Sequence, residues 1–193
     1  MTRHTKESLR ELAYARRIAL PAEERAQKAL AIRDNFLKSV YLPRGAGISA
    51  YIPFNAEVDP LPILDVLIER GYTALMPYTA PNQTLITFRV WTRSTPLQRT
   101  IHGIMEPVPD ETPPHIPDVI IMPLLAFDGK GHRLGYGAGY FDQTLAYLKT
   151  KTKFRTIGVA FQIQYYDRVP VETHDYPLDM CVTEERVYTF REN

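Results

Sequence analysis

Asp128-Gly-Lys-Gly-His-Arg-Leu-Gly-Tyr-Gly-Ala-Gly-Tyr-Phe-Asp142 holds five of the chain's ten glycines, all between Gly129 and Gly139. Glycine is used that densely where the backbone takes φ > 0 or approaches a ligand closely. Upstream, Val119-Ile-Ile-Met122 reads as a short buried strand. Downstream, residues 140–148 read as a helix with apolar positions at Phe141, Leu145 and Leu148. A strand, a glycine-rich loop and a helix start converge amide N–H groups on an anion. Lys130 and Arg133 add positive charge, and Asp142 offers a hard carboxylate to a divalent cation. These features point to a nucleotide phosphate site. The spacing Gly135-x-Gly137-x-Gly139 matches neither the dinucleotide fingerprint nor a Walker A loop, so a plain tight loop is the competing reading of the glycines alone.

The rest of the chain sets the frame. Its 193 residues and 22.1 kDa are most economically one domain, residues 1–193. Hydrophobic residues at 45% and charged residues at 23% suffice for a sizeable core. A net charge of +1 argues against general electrostatic binding of nucleic acid. The single cysteine, Cys181, excludes an internal disulfide and a cysteine-based zinc site; within Met180-Cys-Val182 it reads as buried. No run approaches the ~18 apolar residues of a membrane span. Met1-Thr-Arg-His-Thr-Lys-Glu7 lacks the apolar core of a signal peptide, so a cytoplasmic protein is expected.

Residues 5–38 read as two helices divided at Leu20-Pro21, with Thr5 or Ser8 able to cap the first. Lys6, Arg10 and Arg17 fall near one side of the first helix, as a solvated face or a phosphate clamp. Residues 45–52 read as a strand. A loop follows, then a helix over 60–70 with Asp59 as N-cap and Pro60 at its first position. Residues 73–76, 84–92, 119–122, 156–161 and 187–190 read as further strands. Residues 94–117 read as a surface loop, and the stretch carrying His174, Asp175 and Asp179 as irregular. Strands alternating with helices imply a largely parallel sheet covered on both faces, a three-layer α/β/α sandwich. Ligands in such sheets sit beyond the C-terminal strand ends. The loops at 51–59, 77–82 and 123–140 should therefore meet on one edge.

The glycine loop closely resembles the nucleotide loop of 5-formyltetrahydrofolate cyclo-ligases (methenyltetrahydrofolate synthetases). Lys6-Glu-Ser-Leu-Arg10 resembles that family's N-terminal Lys-x-x-x-Arg, Glu57-Val-Asp59 its folate-contacting loop, and Gly103-Ile-Met-Glu-Pro107 its mid-chain motif. Residues 119–127 resemble the strand entering the glycine loop, and Ala160-Phe-Gln162 a later strand. Some members carry basic residues where this chain has Tyr136 and Ala138. The resemblance implies an architecture similar to that of sugar-phosphate isomerases and CoA transferases. It also implies conversion of 5-formyltetrahydrofolate, with or without a polyglutamate tail, to 5,10-methenyltetrahydrofolate, using ATP and Mg²⁺ and releasing ADP and phosphate. A monomer is expected.

On this resemblance ATP is held by Lys6, Glu7, Ser8, Leu9 and Arg10, and by Arg133, Leu134, Gly135, Tyr136, Gly137, Ala138, Gly139, Tyr140 and Phe141. Lys6, Arg10 and Arg133 are the expected catalytic cations, the first two serving as point charge and fork. Asp142 and Asp179 resemble the Mg²⁺-facing carboxylates. Glu57 can read the donor edge of a pterin. Tyr51, Ile52, Phe54 and Trp91 can wall its rings, and residues 136–140 complete the substrate contacts. His102, His132 and His174 have no metal-ligand spacing. Two rivals stand beside this reading. An isomerase or CoA transferase on the same architecture would consume no ATP, and a non-catalytic folate- or nucleotide-binding module would form no methenyl product.

Overall fold

The run Val119-Ile-Ile-Met122 is the hinge of the architecture, because its alternate side chains face two different cores. Val119 and Ile121 pack with the first, Ile120 and Met122 with the second, and all four are at most 1% exposed. An apolar run without polar alternation is what a strand covered on both faces requires. The computed structural model describes residues 4–100 and 103–191. Residues 1–3, 101, 102, 192 and 193, His102 among them, lie outside that description.

In chain order the elements are α1 (Lys6–Ile18), α2 (Ala22–Ser39), β1 (Gly47–Ser49), α3 (Leu61–Glu69), β2 (Thr73–Tyr78), β3 (Thr87–Val90), β4 (Leu97–Arg99), β5 (Met105–Pro107), β6 (Val119–Met122), β7 (Ala126–Phe127), β8 (Arg133–Leu134), α4 (Tyr140–Lys149), β9 (Arg155–Val159), β10 (Met180–Val182) and β11 (Val187–Thr189). Seven strands form the main sheet in the order β11-β10-β9-β6-β1-β2-β3. The five inner strands are mutually parallel, and only β3 and β11 at the edges run antiparallel. One face is covered by α2 and α3 through Ile32, Phe36, Ile63, Leu64 and Leu67. The other is covered by α4 through Leu145 and Leu148. A mixed α/β architecture with a mostly parallel sheet flanked by helices follows, as the alternation of elements predicts.

Several elements differ from the sequence reading. Residues 94–117 contain the hairpin β4–β5, and the base of the glycine loop is itself a hairpin, β7–β8. Met180-Cys-Val182 is a buried parallel strand inside a stretch that reads as irregular. Three residues are too few to show a period, and the neighbours β9 and β11 define them as a strand. The α3 helix begins one residue later than predicted, so Pro60 and not Asp59 is its N-cap and no side chain caps it; Asp59, one residue before, accepts from the Leu61 amide through Oδ1 at 2.9 Å. Among the described residues, no helix is long and apolar enough to cross a membrane.

Candidate functional site

Strand order reverses at β1. The chain runs outward through β2 to β3 on one side, and through β6 and β9 on the other. The loops leaving the C-terminal ends of β1, β2 and β6 diverge there, which leaves a crevice. A cavity of about 600 Å³ occupies it. Its walls are Tyr51, Ile52, Phe54 and Glu57 after β1, Pro77 and Thr79 in and after β2, Met122 and Pro123 at β6, and an unbroken run from Arg133 to Asp142. Lys6, Glu7 and Arg10 of α1 close it from outside the sheet. Ile104, Met105 and Glu106 roof it from the β4–β5 hairpin.

The glycine loop presents its backbone to this space. Among the described residues, the amides of residues 135–139 donate no hydrogen bond, backbone or side chain. Gly137 at φ +104° and Gly139 at φ +74° hold the left-handed conformations that turn consecutive amides the same way. Gly139 is also the N-cap of α4, so the free first-turn amides and the positive end of the helix dipole extend the same surface. Arg10 clasps the loop, its Nε donating to the Gly135 carbonyl at 2.9 Å. A Cβ at Gly137 would stand 3.3 Å from that guanidinium, so glycine is what admits the arginine so closely.

Arg133 lies under the loop with 8% exposure. It donates to Asp142 Oδ1 at 2.7 Å and to the Tyr176 carbonyl. Asp142 Oδ1 also accepts from the Tyr176 amide at 2.9 Å. Its Oδ2 takes no hydrogen bond among the described residues and remains available to a hard cation. Lys6 is held by Asp175 at 2.7 Å and Glu172 at 3.1 Å. Partial burial alone would lower the Lys6 pKa, but its hydrogen bonds to these carboxylates outweigh burial and raise it. On the opposite wall Glu57 accepts from the Phe54 amide at 2.9 Å. Desolvation raises its pKa to about 7, against the opposing pull of that amide, Arg17 and Tyr136. Glu106, half-buried and accepting from Thr79 N at 3.3 Å, is likewise pushed up by desolvation.

Most of the residues singled out in sequence therefore share one cleft, but Lys130, exposed on the β7–β8 turn, is no part of its lining, and five others do not reach it as expected. Trp91 is 4% exposed within the core under α2 and α3 and is no wall of the cavity. Asp179 is committed elsewhere: its Oδ2 accepts from Thr156 N at 2.8 Å and Thr156 Oγ1 at 3.1 Å, and Oδ1 faces Arg191 at 3.9 Å. Those bonds join the start of β10 to β9, a structural task. Ser8 belongs to a capping box with Thr5, and Leu9 is fully buried behind the site. Arg17 belongs to neither a solvated face nor a clamp at the cleft; its side chain is fully buried. Conversely, Glu106, Glu172 and Asp175 line the cleft without having been marked as site residues. Glu106 does lie in the motif at 103–107, whereas no spacing links Asp175 to Lys6, 169 residues away.

Comparison with known proteins gives this crevice its relatives. A model of the 5-formyltetrahydrofolate cyclo-ligase family matches residues 2–184. A protein of Mycolicibacterium smegmatis named 5-formyltetrahydrofolate cyclo-ligase is 30% identical over 192 residues, 96% of this chain and 97% of that protein. One of the same name from Haemophilus influenzae is 29% identical over 166 residues, 84% of this chain and 88% of its own length. The NMR structure of Aquifex aeolicus 5,10-methenyltetrahydrofolate synthetase superimposes with a TM-score of 0.80 at 31% identity, covering 97% of this chain and 94% of that one. With a family match across nearly all its residues, this chain belongs to the 5-formyltetrahydrofolate cyclo-ligase family.

Proposed function

We propose that this chain converts 5-formyltetrahydrofolate and ATP to 5,10-methenyltetrahydrofolate, ADP and phosphate. Five consecutive undonated amides beside two guanidinium groups, facing a half-buried carboxylate across one cavity, carry this reading. The amide-lined side suits an anionic triphosphate. The side formed by Tyr51, Ile52, Phe54 and Glu57 suits a flat heterocycle with an N–H edge.

A formamide oxygen is a poor leaving group, so ring closure onto the N5-formyl carbon stalls without activation. The formyl oxygen takes the γ-phosphoryl group of ATP, and the carbon becomes an iminium-like electrophile. N10 adds to that carbon and its proton is lost. The C–O bond then breaks and releases phosphate, leaving the methenyl bridge. Positioning and charge neutralisation dominate such transfers. Amides 135–139 and the first turn of α4 hold the phosphates. Lys6 and Arg10 approach them from α1, and Arg133 sits where charge accumulates on the transferring group. Glu57, ionised, accepts from the pterin edge. Its pKa of about 7 keeps a large fraction charged at neutral pH.

Mg²⁺ fits Asp142, whose Oδ2 is unclaimed, and does not fit Asp179, whose carboxylate is already used. When bound, the ion supplies further neutralisation of the triphosphate. The deciding experiment follows methenyl absorbance from 5-formyltetrahydrofolate with and without ATP. An ATP-dependent rise is expected. No rise with ATP present would leave only a binding module.

A further inference from the structure

Arg17 is an expensive residue to bury. Its side chain has no exposure, and among the described residues its Nε has no partner and its acceptors are neutral: the Leu124 carbonyl at 3.2 Å, the Asn55 carbonyl at 2.8 Å, and the Tyr136 hydroxyl. An apolar side chain of similar length would cover the same surface without desolvating a charge. Those three acceptors belong to the loop after β6, the loop after β1 and the glycine loop. One guanidinium thus ties together three segments at the cleft.

Tyr136 shows what the tie accomplishes. Burial and the Glu57 charge push its pKa to about 12, so at neutral pH its hydroxyl keeps the proton. A phenol has one proton to donate. With Arg17 donating to the oxygen, that proton is directed away from Arg17, on a ring that lines the same cleft as Glu57. The rings of Phe54 and Tyr136, 6.5 Å apart, hold the two loops in contact at the same point.

We propose that Arg17 is a positioning residue: by bonding the Asn55 carbonyl and the Tyr136 hydroxyl it holds the glycine loop against the loop of Phe54 and Glu57, and so fixes the carboxylate that receives the pterin. This rests on the assignment of Glu57 to the pterin. The other groups around Glu57 are Tyr51 beyond β1, Asp59 on its own loop, Arg25 of α2 across a second cavity of about 370 Å³, and Glu106 of β5 in the main cleft. Lys6, Arg10 and Arg133 line the same cleft, but among the described basic groups Arg17 alone bonds the loop of Glu57, donating to the Asn55 carbonyl at 2.8 Å.

The test combines steady-state kinetics with the pH dependence of folate KM in Arg17→Met, Tyr136→Phe and Glu57→Gln. Arg17→Met and Tyr136→Phe should each raise the KM for 5-formyltetrahydrofolate roughly tenfold, change the KM for ATP less than that for folate, and be non-additive when combined. Both should also move the acid limb of folate KM to higher pH, because each removes a group that favours the Glu57 anion. A purely structural role would lower the melting temperature and leave that limb in place. If Arg17→Met does not fold, Tyr136→Phe gives the same readout with the Leu124 and Asn55 bonds intact. An unshifted limb in Tyr136→Phe, with Glu57→Gln still raising folate KM, overturns the positioning role alone. A Glu57→Gln enzyme with unchanged folate KM overturns the pterin assignment, and the positioning role with it.

Discussion

Gly131→Ala tests how rigidly the base of the glycine loop is anchored. Gly131 sits in the β7–β8 turn at φ +83°. An added Cβ would stand 2.8 Å from the Leu178 carbonyl oxygen and 2.8 Å from the Phe190 ring. Neither neighbour can yield easily. The Leu178 amide donates to the Gly131 carbonyl at 2.8 Å, and the Phe190 amide to the Asp179 carbonyl at 2.9 Å. The turn itself is pinned by Asp128 Oδ1, which accepts from Lys130 N at 2.9 Å and His132 N at 3.1 Å. A left-handed L-residue costs about 1–2 kcal/mol, and overpacking a fixed site adds about 1–3 kcal/mol. The sum is about 2–5 kcal/mol, a large share of a typical domain's stability. Gly45→Ala is the control: its φ is +73° and nothing lies within 4 Å of the new Cβ, so only the conformational cost applies. Urea unfolding of both variants, with unchanged m-values, measures the difference. A Gly131→Ala protein no less stable than Gly45→Ala would refute the anchoring.

Gly137→Ala sets its methyl 3.3 Å from the Arg10 guanidinium at a left-handed φ of +104°, and should raise the KM for ATP while leaving that for folate unchanged. Asp142→Asn is expected to lower turnover roughly a hundredfold with the circular dichroism spectrum intact, since charge aimed at phosphoryl transfer is lost while the side chain's shape is kept. The folded-state pKa of Glu57, about 7, lies above its ordinary value of 4.5. Between those pH values the folded protein binds a proton that the unfolded chain has released, so stability of the ligand-free protein falls as pH rises through the window. Glu57→Gln should flatten that slope in urea midpoints; an identical slope would show the group to be solvated. Trp91→Phe should lower the urea midpoint yet change folate KM less than about twofold, because the indole is packed in the core.

Residues differ in how openly they announce their place. Val119-Ile-Ile-Met122 is legible because unbroken apolar character has one explanation next to a glycine-rich turn. The convergence of the loops after β1, β2 and β6 follows from parallel topology and is legible for the same reason. Trp91 is not, since a lone aromatic packs equally well in a core or against a ring. Arg17 is the harder case. Its acceptors are main-chain carbonyls 107 and 38 residues away and a tyrosine 119 residues away, and no local pattern distinguishes it from an exposed arginine. Asp179 matches a motif, yet what its carboxylate does is decided by Thr156 on the neighbouring strand. Local sequence specifies elements well where periodicity is long, and poorly where a polar group's partner is remote.

The grip of α1 on the glycine loop has a consequence for the order in which a nascent chain matures. Arg10 and Gly135 are 125 residues apart, so α1 waits for the polypeptide between them before it finds its seat. Until then its apolar side, Leu9 and Ala13, has no cover from Leu125, Ala126, Leu134 and Val169. Synthesis at ~5–20 residues per second makes that an exposure of several seconds or longer. Catalytic competence should arrive abruptly, once the glycine loop has been made and has received Arg10.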